Sequence, residues 1–313
     1  MNAVHDAEAK VERHPEHGYF RLSPIPDAQT LSRYYETAYN DPLRRAPLQE
    51  RESAQAADAR TARSDALAEQ EKQWRDASEF EDISAYLADL APGGQIVDVG
   101  AGIGELVAAL ADRGFDASGI EPSCEASLYA QSQGRAVQQN DLVGWLNSVP
   151  EKARPVCDAV TLLNVLEHLR DPGDALAQCH AMLTEGGILC IRVPNDFSDV
   201  QRAVVETTGC DRWWIRTPDH INYFDRESLT ALLNAQGFTT EIATCDFPID
   251  WFLLMGENYL SDPELGRKCH ERRKAFEVSL PGAVRRRLYR SLSQAGFGRN
   301  LIIYARKAPA NAG

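Results

Sequence analysis

A glycine-rich turn in the first half of the chain has the residue types of a ligand-binding loop. An apolar run that includes Asp98 ends at Gly100, and Ala101, Gly102 and Gly104 follow before a helical pattern begins. Glycines let the backbone turn tightly and approach a bound molecule where a Cβ would collide. The first N–H groups of the helix that follows have no partner within the helix. The pattern predicts a binding loop between a strand and a helix.

The spacing of the glycines separates two kinds of binding loop. A dinucleotide-binding turn has the spacing GxGxxG, which would place its last glycine at position 105, but that residue is Glu105. The chain has instead an acid, Asp98, followed by GxGxG. This turn resembles the first motif of class I S-adenosylmethionine (SAM)-dependent methyltransferases. The resemblance implies that Asp98 orients the SAM ammonium group and that the backbone from Gly100 to Gly104 holds the methionine part.

Two later segments match further cofactor positions of that family. Glu121, followed by Pro122, ends the next predicted strand, where an acid can accept hydrogen bonds from both ribose hydroxyls. Asn140, Asp141 and Leu142 follow a short third strand at the position that contacts adenine in the family. An alternative for Asp141 is that it only caps the next helix.

The stretch LNVLEHLRDP closely resembles a segment of ubiquinone-type and related small-molecule methyltransferases. Asn164 and Val165 come at the carboxyl end of a predicted strand, where ligands bind in open α/β sheets. The resemblance implies that both line the methionine end of SAM, with His168 beside them. Glu167 and His168 either face the methyl acceptor or hold the loop by hydrogen bonds.

A polar and aromatic loop, TPDHINYF, provides candidates for the acceptor side. We hypothesise that His220 is a base for, or orients, the acceptor, with Asn195, Asn222 and Tyr223 helping to position it, and Tyr223 and His168 are further catalytic candidates. The alternative for His220 is a core histidine that holds a loop carbonyl. The HxNYF string and the following helix resemble a bacterial subgroup of these methyltransferases, many of which are associated with sugar, polysaccharide or secondary-metabolite chemistry.

Residues 247–298 are predicted to form an insert that covers the acceptor pocket. Trp251 and Tyr259 in this insert suit a sugar or a flat ring, although they also suit plain packing. Its basic clusters, 272–274 and 285–287, either form a solvated helix face or recognise an acidic acceptor.

Alternating strands and helices predict an α/β, doubly wound and mainly parallel sheet. The predicted strands are QIVDVG, FDASGIEP, AVQQNDL, CDAVTLLN, ILCIRVPN, FTTEIATCDF and NLIIYARK. The predicted helices that join them include IGELVAALADRG, DALAQCHAMLTEGG and RESLTALLNAQG. The family resemblance implies seven strands, the last antiparallel. We expect residues 1–15 to lack regular structure, residues 1–90 to form an N-terminal extension and helical cap, and residues 91–313 to form the SAM-binding domain.

The composition of the chain limits the kinds of partner that it is expected to bind. Its net charge of −13 and pI of about 5.0 disfavour nucleic acid. The seven cysteines include no CxxC pair, so no metal site is expected. No apolar run approaches the ~20 residues that a membrane span needs. We expect a cytoplasmic monomer or homodimer that acts on a small-molecule acceptor.

The expected reaction is methyl transfer from SAM, with S-adenosylhomocysteine as the product. The expected acceptor atom is an oxygen of a sugar, a nucleotide-sugar or a secondary-metabolite intermediate. Carbon or nitrogen acceptors stay open, as does a SAM-binding protein without catalysis. Glu105 argues against a nicotinamide-dependent oxidoreductase. The absence of an NPPY-type motif after the fourth strand argues against methylation of protein or RNA.

Overall fold

The computed structural model describes residues 10–34, 67–150 and 157–309. The strands among these residues are β1 (Val11–Arg13), β2 (Phe20–Leu22), β3 (Gln95–Val99), β4 (Asp116–Glu121), β5 (Val137–Gln139), β6 (Cys157–Leu163), β7 (Leu183–Pro194), β8 (Asn222–Tyr223), β9 (Phe238–Cys245) and β10 (Asn300–Lys307). They form two sheets, one of seven strands and one of three.

The seven-stranded sheet has the strand order β5-β4-β3-β6-β7-β10-β9. Strands β3 to β7 pair in parallel, and β10 is antiparallel to both β7 and β9. The strand order reverses direction between β3 and β6, and ligands bind outside the carboxyl ends of strands at such a point. The predicted fold class and the antiparallel last strand are confirmed.

Helices cover both faces of this sheet because its strands are apolar on both sides. One buried apolar cluster includes side chains of helices Leu142–Ser148, Pro172–Met182 and Arg226–Ala235. A second cluster, on the opposite face, includes side chains of helices Glu81–Leu90, Glu105–Asp112 and Cys124–Ser132. The remaining described helices are Ala28–Tyr34, 67–75 with a π-helical continuation Asp76–Phe80, Asp199–Thr208, Trp251–Leu254, Pro263–Ser279, Gly282–Gln294 and a 3-10 turn at Leu166–His168. This is the doubly wound arrangement.

The smaller sheet corrects one expectation about the N-terminus. Its order is β1-β2-β8, with antiparallel pairing throughout. Residues 11–13 were expected to lack regular structure, but they form β1, because Val11 pairs with Leu22 and the Glu12 carboxylate accepts a hydrogen bond from Arg21 at 2.9 Å. Residues 1–9, and the predicted helical stretch from 35 to 66, lie outside the described residues.

The start of β7 lies earlier than predicted. The sequence pattern extends the preceding helix to Gly187, but the helix ends at Met182 and β7 begins at Leu183. A shift in the pairing of β7 with β6, between Cys157 and Ala159, accommodates the extra residues, with Gly186 at a φ of 74°. A local bulge of this kind leaves no periodic signal in the sequence.

The basic clusters of the insert pair with carboxylates of the protein. Arg285, whose side chain is 2% exposed, forms ion pairs with Asp82 at 2.8 Å and with Glu81. Arg273 lies 3.0 Å from Asp246. Five of the six clustered cations are tied in this way to carboxylates elsewhere in the chain, and they are Arg272, Arg273, Lys274, Arg285 and Arg286. Arg272 remains exposed, whereas the largely buried Arg273 and Arg285 form neither a solvated face nor an acceptor-binding patch.

Within the described part of the chain, none of the helices has the length and apolar content that crossing a bilayer requires.

Candidate active site

The glycine-rich turn connects β3 to helix Glu105–Asp112 at the carboxyl edge of the sheet. Gly100 has a φ of 73°, and a Cβ there would lie 2.6 Å from Cγ2 of Val165. A Cβ on Gly119, in the neighbouring strand β4, would lie 2.5 Å from Cβ of Ala101. Gly102 and Gly104 also have positive φ. The turn therefore needs glycine both for its own backbone and for the space that the adjacent strand leaves to it.

Asp98 lies under this turn, 4% exposed, inside β3. Its Oδ1 accepts a hydrogen bond from the Thr161 hydroxyl at 2.5 Å. Burial raises the pKa of Asp98 to about 7, against the hydrogen bond from Thr161, which lowers it. A buried carboxyl with one neutral partner is suited to receive a cationic ligand group. The sequence search missed Thr161, whose only signal is a polar residue in an apolar strand.

Glu121 connects the glycine-rich turn to the start of the next helix. Its Oε2 accepts from the N–H of Gly102 and its Oε1 from the N–H of Ser123, each at 2.8 Å. Pro122 lies between these two anchors, where the chain leaves β4. The N–H of Asn140 donates to the Glu121 carbonyl at 3.0 Å. The predicted ribose and adenine residues are therefore adjacent in the structure.

Asp141 is the N-terminal cap of helix Leu142–Ser148. Its Oδ1 accepts from the N–H of Gly144 at 2.6 Å. This is the capping role that the sequence left open as an alternative. Its contact with adenine, together with those of Asn140 and Leu142, stays a prediction.

Asn164 ends β6 in a backbone conformation that is uncommon for a residue with a side chain. Its φ is 57°, and its side chain is exposed at the carboxyl edge. The N–H of Asn164 donates to the carbonyl of Arg192 at 2.8 Å, which ties the end of β6 to β7. Val165 follows it and packs against Gly100. The glycine-rich turn and the segment after β6 are thus in direct contact.

Three side chains meet beyond that segment, and we call Glu167, His168 and His220 the polar triad. One ligating atom of each lies within 4.8 Å of the others. The two imidazole rings pack edge to face with centroids 4.8 Å apart, and Oε1 of Glu167 lies 3.8 Å from Nε2 of His168. Nδ1 of His168 bonds to the carbonyl of Asp219 at 2.8 Å. A carbonyl only accepts, so Nδ1 carries the proton and Nε2 presents a lone pair.

Burial disfavours the charged form of all three members of the triad. It raises the pKa of Glu167 to about 8 and lowers the pKa of His220 to about 2, while the pKa of His168 is also lowered. Oε2 of Glu167 and Nδ1 of His220 are buried without a hydrogen-bond partner. Buried polar atoms without partners carry a free-energy cost that a bound ligand can remove. Glu167, for which the sequence left open whether it faces the acceptor or holds the loop, is therefore a central residue of this site.

The structure gives Asn195, Asn222 and Tyr223 positions in which they hold the backbone. The Asn195 amide donates to the carbonyls of Gly296 and Gly298 at 3.1 and 3.2 Å. The Asn222 amide donates to the carbonyls of Leu166 and Leu169 at 3.2 and 2.7 Å, and so fixes the turn that carries the triad.

The phenol of Tyr223 is also engaged with the backbone. It donates to the carbonyl of Arg216 at 3.2 Å and accepts from the N–H of the same residue at 3.3 Å. Burial raises its pKa well above the ordinary value of a phenol. The segment 216–223 is thereby closed into a compact loop around His220, and Tyr223 acts on that loop rather than presenting a free hydroxyl.

Trp251 and Tyr259, both in the predicted insert, make their described contacts with other residues of the C-terminal part of the chain. The Tyr259 hydroxyl donates to Oδ1 of Asp250 at 2.6 Å, and Trp251, half-buried, packs against Phe297 with ring centroids 5.9 Å apart. Arg299 pairs with Asp196 at 3.2 Å. The positive charge of Arg299 acts to lower the pKa values of both His220 and Tyr259, which places it near both. The sequence search missed this ion pair.

Known proteins share this domain. A family model described as a methyltransferase domain matches residues 68–241. A ubiquinone biosynthesis O-methyltransferase of Pseudomonas aeruginosa is 31% identical over 107 residues, which are 33% of this chain and 45% of that protein. The protein of the same name from Pseudomonas syringae pv. tomato is 35% identical over 104 residues, 32% of this chain and 44% of that protein. The chain thus matches less than half the length of these curated relatives.

The fold is also shared with a solved structure. Magnesium protoporphyrin IX methyltransferase from Synechocystis, with bound S-adenosylhomocysteine, covers 90% of this chain and 100% of its own, with a TM-score of 0.50 and 14% identity. At this identity the likeness concerns the fold: a seven-stranded sheet with one antiparallel strand and helices on both faces.

Proposed function

The chain belongs to the methyltransferase domain family of class I SAM-dependent enzymes, and on that premise we propose that it transfers a methyl group from SAM to an oxygen of a small-molecule acceptor. One observation carries the proposal. The glycine-rich turn packs, through Val165 and Gly100, against the segment that bears the polar triad. The groups suited to a cofactor and the unpaired groups suited to an acceptor therefore adjoin at one edge of the sheet.

The cofactor half uses residues of β3, β4 and β5. Asp98 faces the ammonium group of SAM, and the positive charge of the ligand stabilises the ionised form of this buried carboxylate. The backbone from Gly100 to Gly104 holds the methionine part, Glu121 and Pro122 the ribose, and 140–142 the adenine. Asn164 and Val165 line the methionine end beside the triad.

The acceptor half uses the polar triad and its supports. SAM carries its own activated methyl group, so the protein must mainly align the acceptor oxygen and exclude water. His220 helps to position the acceptor rather than taking its proton, because an imidazole whose pKa is about 2 is a weak base near neutral pH. Asn195, Asn222 and Tyr223 position the loops, and Trp251 and Tyr259 form the outer wall.

The acceptor class that we propose is a hydroxylated small molecule: a sugar, a nucleotide-sugar or a secondary-metabolite intermediate. The two curated relatives are named as O-methyltransferases, which supports oxygen as the acceptor atom. The insert's paired arginines give no added support to a phosphate-bearing acceptor. Arg216, 45% exposed and 3.6 Å from Asp219, is a cation beside the triad with an accessible surface.

The cofactor assignment is tested by isothermal titration of the protein with SAM, S-adenosylhomocysteine and NAD. We expect the first two to bind in the micromolar range and NAD not to bind. Asp98→Ala and Glu121→Ala should weaken SAM binding at least tenfold, whereas Glu125→Ala, at an exposed position of the next helix, should not change it. NAD binding, or no SAM binding by the native chain, would contradict the proposal.

Catalysis is tested by the release of S-adenosylhomocysteine with a panel of hydroxylated, amine and carbon acceptors. His220→Ala should lower kcat by at least tenfold with SAM affinity intact. Unchanged turnover in that variant would remove its role in orienting the acceptor. SAM binding without turnover on any acceptor of the panel would favour a non-catalytic SAM-binding protein.

A further inference from the structure

The polar triad has the donor set of a metal site rather than that of a hydrogen-bonded cluster. Oε1 of Glu167 lies 3.8 Å from Nε2 of His168, which is too long for a hydrogen bond. Oε2 of Glu167 and Nδ1 of His220 are buried and unpaired. We propose that Glu167, His168 and His220 together bind one divalent first-row transition-metal ion.

The orientation of His168 supports this assignment. Histidines that bind metals usually donate their other ring N–H to a carboxylate or a backbone carbonyl, which fixes the tautomer and the ring plane. The 2.8 Å bond from Nδ1 of His168 to the carbonyl of Asp219 has this form, and it directs the lone pair of Nε2 toward Glu167. Asp219 precedes His220, so the same backbone segment fixes two of the three ligands.

The spacing of the triad fits a single ion after a small contraction. Bonds of about 2.0–2.2 Å from an ion to nitrogen and oxygen ligands place those ligands about 3 to 4 Å apart. The three ligating atoms lie within 4.8 Å of one another, so the side chains need to move by about an ångström or less to close on an ion.

The ligand set also selects the kind of ion. Two imidazoles and one carboxylate suit Zn²⁺, Mn²⁺, Fe²⁺ or Co²⁺, whereas Mg²⁺ prefers oxygen ligands only. Three cations that act on the triad are balanced by carboxylates of the protein: Arg192 lies 3.3 Å from Glu79, Arg216 3.6 Å from Asp219 and Arg299 3.2 Å from Asp196. The sequence gives no hint of the site, because its ligands come from two widely separated segments and include no cysteine.

Three protein ligands leave coordination positions open, as in catalytic metal sites. If the proposed function holds, an acceptor hydroxyl occupies one of them and releases its proton to solvent more readily. The oxygen then forms a bond to the methyl carbon of SAM, while the carbon–sulfur bond breaks and leaves its electron pair on sulfur. The products are the methyl ether and neutral S-adenosylhomocysteine.

The test is metal binding by the full chain without SAM or acceptor. The protein, freed of any oligohistidine tag and stripped with a chelator, is titrated with Zn²⁺, Mn²⁺ and Mg²⁺ by calorimetry and with Co²⁺ by visible absorption. We expect one site per chain for Zn²⁺ and Mn²⁺, at least tenfold weaker binding of Mg²⁺, and d–d bands of bound Co²⁺.

Substitutions of the triad residues test whether the ion binds at the triad. Glu167→Gln and His220→Ala should each weaken Zn²⁺ and Mn²⁺ binding at least tenfold and remove the Co²⁺ bands. The matched controls Glu206→Gln, at an exposed helix position, and His180→Ala, on a different helix, should bind as the native chain does. Should a triad variant fail to fold, as judged by circular dichroism, His168→Gln replaces it, because His168 is partly exposed.

Absence of a stoichiometric site in the native chain, or equal affinities in triad and control variants, would overturn the metal proposal. This outcome is independent of the proposed function, since SAM titration and acceptor turnover are measured separately. If the chain binds SAM and methylates an acceptor in the presence of chelator, the proposed function holds and the reaction does not need the ion.

Discussion

At the scale of single residues, two buried acids near the carboxyl edge of the sheet have fewer hydrogen-bond partners than water would give them. Asp98 has one hydroxyl partner, and Glu167 has an oxygen with none. Burying such groups lowers the stability of the ligand-free fold, because water solvates them better than the protein does. Neither acid is therefore explained by the stability of the ligand-free fold, which is consistent with the ligand-binding roles that we propose for them.

Asp98→Asn should change how stability depends on pH. The pKa of Asp98 is raised from 3.8 to about 7 in the folded chain, so the folded protein keeps a proton that the unfolded chain loses. The stability that this proton contributes is complete below about pH 4 and is lost as the pH rises to about 7. Since the asparagine side chain does not titrate, the variant's melting temperature should rise relative to the native value over this window and run parallel above it.

Thermal unfolding of the ligand-free proteins, followed by circular dichroism from about pH 5 to about pH 8, measures the difference. Asp112→Asn, at an exposed helix position, is the control and should show no such widening gap. A gap for Asp98→Asn that does not depend on pH would contradict the raised pKa.

Gly119→Ala should disturb the binding loop through the neighbouring strand. The added methyl group would lie 2.5 Å from Cβ of Ala101, which is attached directly to the backbone of the turn and cannot swing away. We expect a loss of about 1–3 kcal/mol in the free energy of unfolding from overpacking, and SAM binding weaker by at least tenfold. Chemical denaturation and calorimetry measure the two effects.

Gly173→Ala is the matched control, because a methyl group there meets its nearest neighbours at 3.4 Å. This variant should keep its SAM affinity. If Gly119→Ala also binds SAM normally, the close approach of β4 does not set the shape of the loop.

At the scale of elements, ion pairs between distant parts of the chain attach the insert to helix Glu81–Leu90. Arg285 joins helix Gly282–Gln294 to Asp82 and Glu81, and it also donates to the carbonyls of Glu277 and Ser78 at 3.0 and 3.2 Å. A guanidinium with so many acceptors is satisfied despite being almost fully buried.

Arg285→Ala should therefore be destabilising, by about 1–3 kcal/mol, because it leaves the buried carbonyls of Glu277 and Ser78 without their donor, although Arg286 still pairs with Glu81 and Asp82. Arg287→Ala, two residues away and exposed, should change the free energy of unfolding by about 0.5 kcal/mol or less. Urea denaturation of the two variants measures both values. Equal, small losses would mean that solvent replaces the ion pairs.

Most strands and helices were predictable from the sequence, whereas the side-chain contacts between distant elements were not. Continuous apolar runs between glycines predict β3 to β7, and the run NLIIYARK predicts β10 with the bounds that the structure shows. Periodicity acts over a window of neighbours, so it cannot indicate that Arg285 meets Asp82, which lies 203 residues earlier. For the same reason it favours a solvated face for arginines that are in fact buried.

The candidate site was likewise predictable only in part. The glycine-rich turn could be predicted because one local segment contains its chemistry, although its residues' roles stay predictions. The polar triad could not, since His220 and Glu167 meet only after β6 and the loop before β8 come together. Asn222 and Tyr223 attract notice in the sequence as polar residues, but their polar groups hold backbone atoms.

At the scale of the whole molecule, an N-terminal hairpin supports the loop that carries His220. Strand β2 pairs with β8, and Tyr19 packs against Phe224 with ring centroids 5.0 Å apart. The hairpin therefore joins the start of the described chain to the loop that carries His220.

The variant Tyr19→Ala tests whether the hairpin supports the His220 loop without affecting SAM binding. Tyr19 is 4% exposed, and truncating a buried aromatic ring costs about 3–5 kcal/mol of stability. Methyl transfer should fall because the His220 loop loosens, while SAM affinity in calorimetry stays within about threefold of the native value. Tyr129→Ala, 50% exposed, is the control and should leave stability and turnover unchanged. A parallel loss of SAM affinity in Tyr19→Ala would show that the two halves are coupled.

The short strand β8 has a consequence for how such a protein diversifies. Its two residues belong to the small sheet, and Asn222 also fixes the turn that carries Glu167 and His168. On the proposed assignment, His220 is thus mounted on a frame with its own hairpin, whereas the glycine-rich turn belongs to the large sheet. A lineage can remodel that frame, and with it the choice of acceptor, while its methyl-donor site stays unaltered.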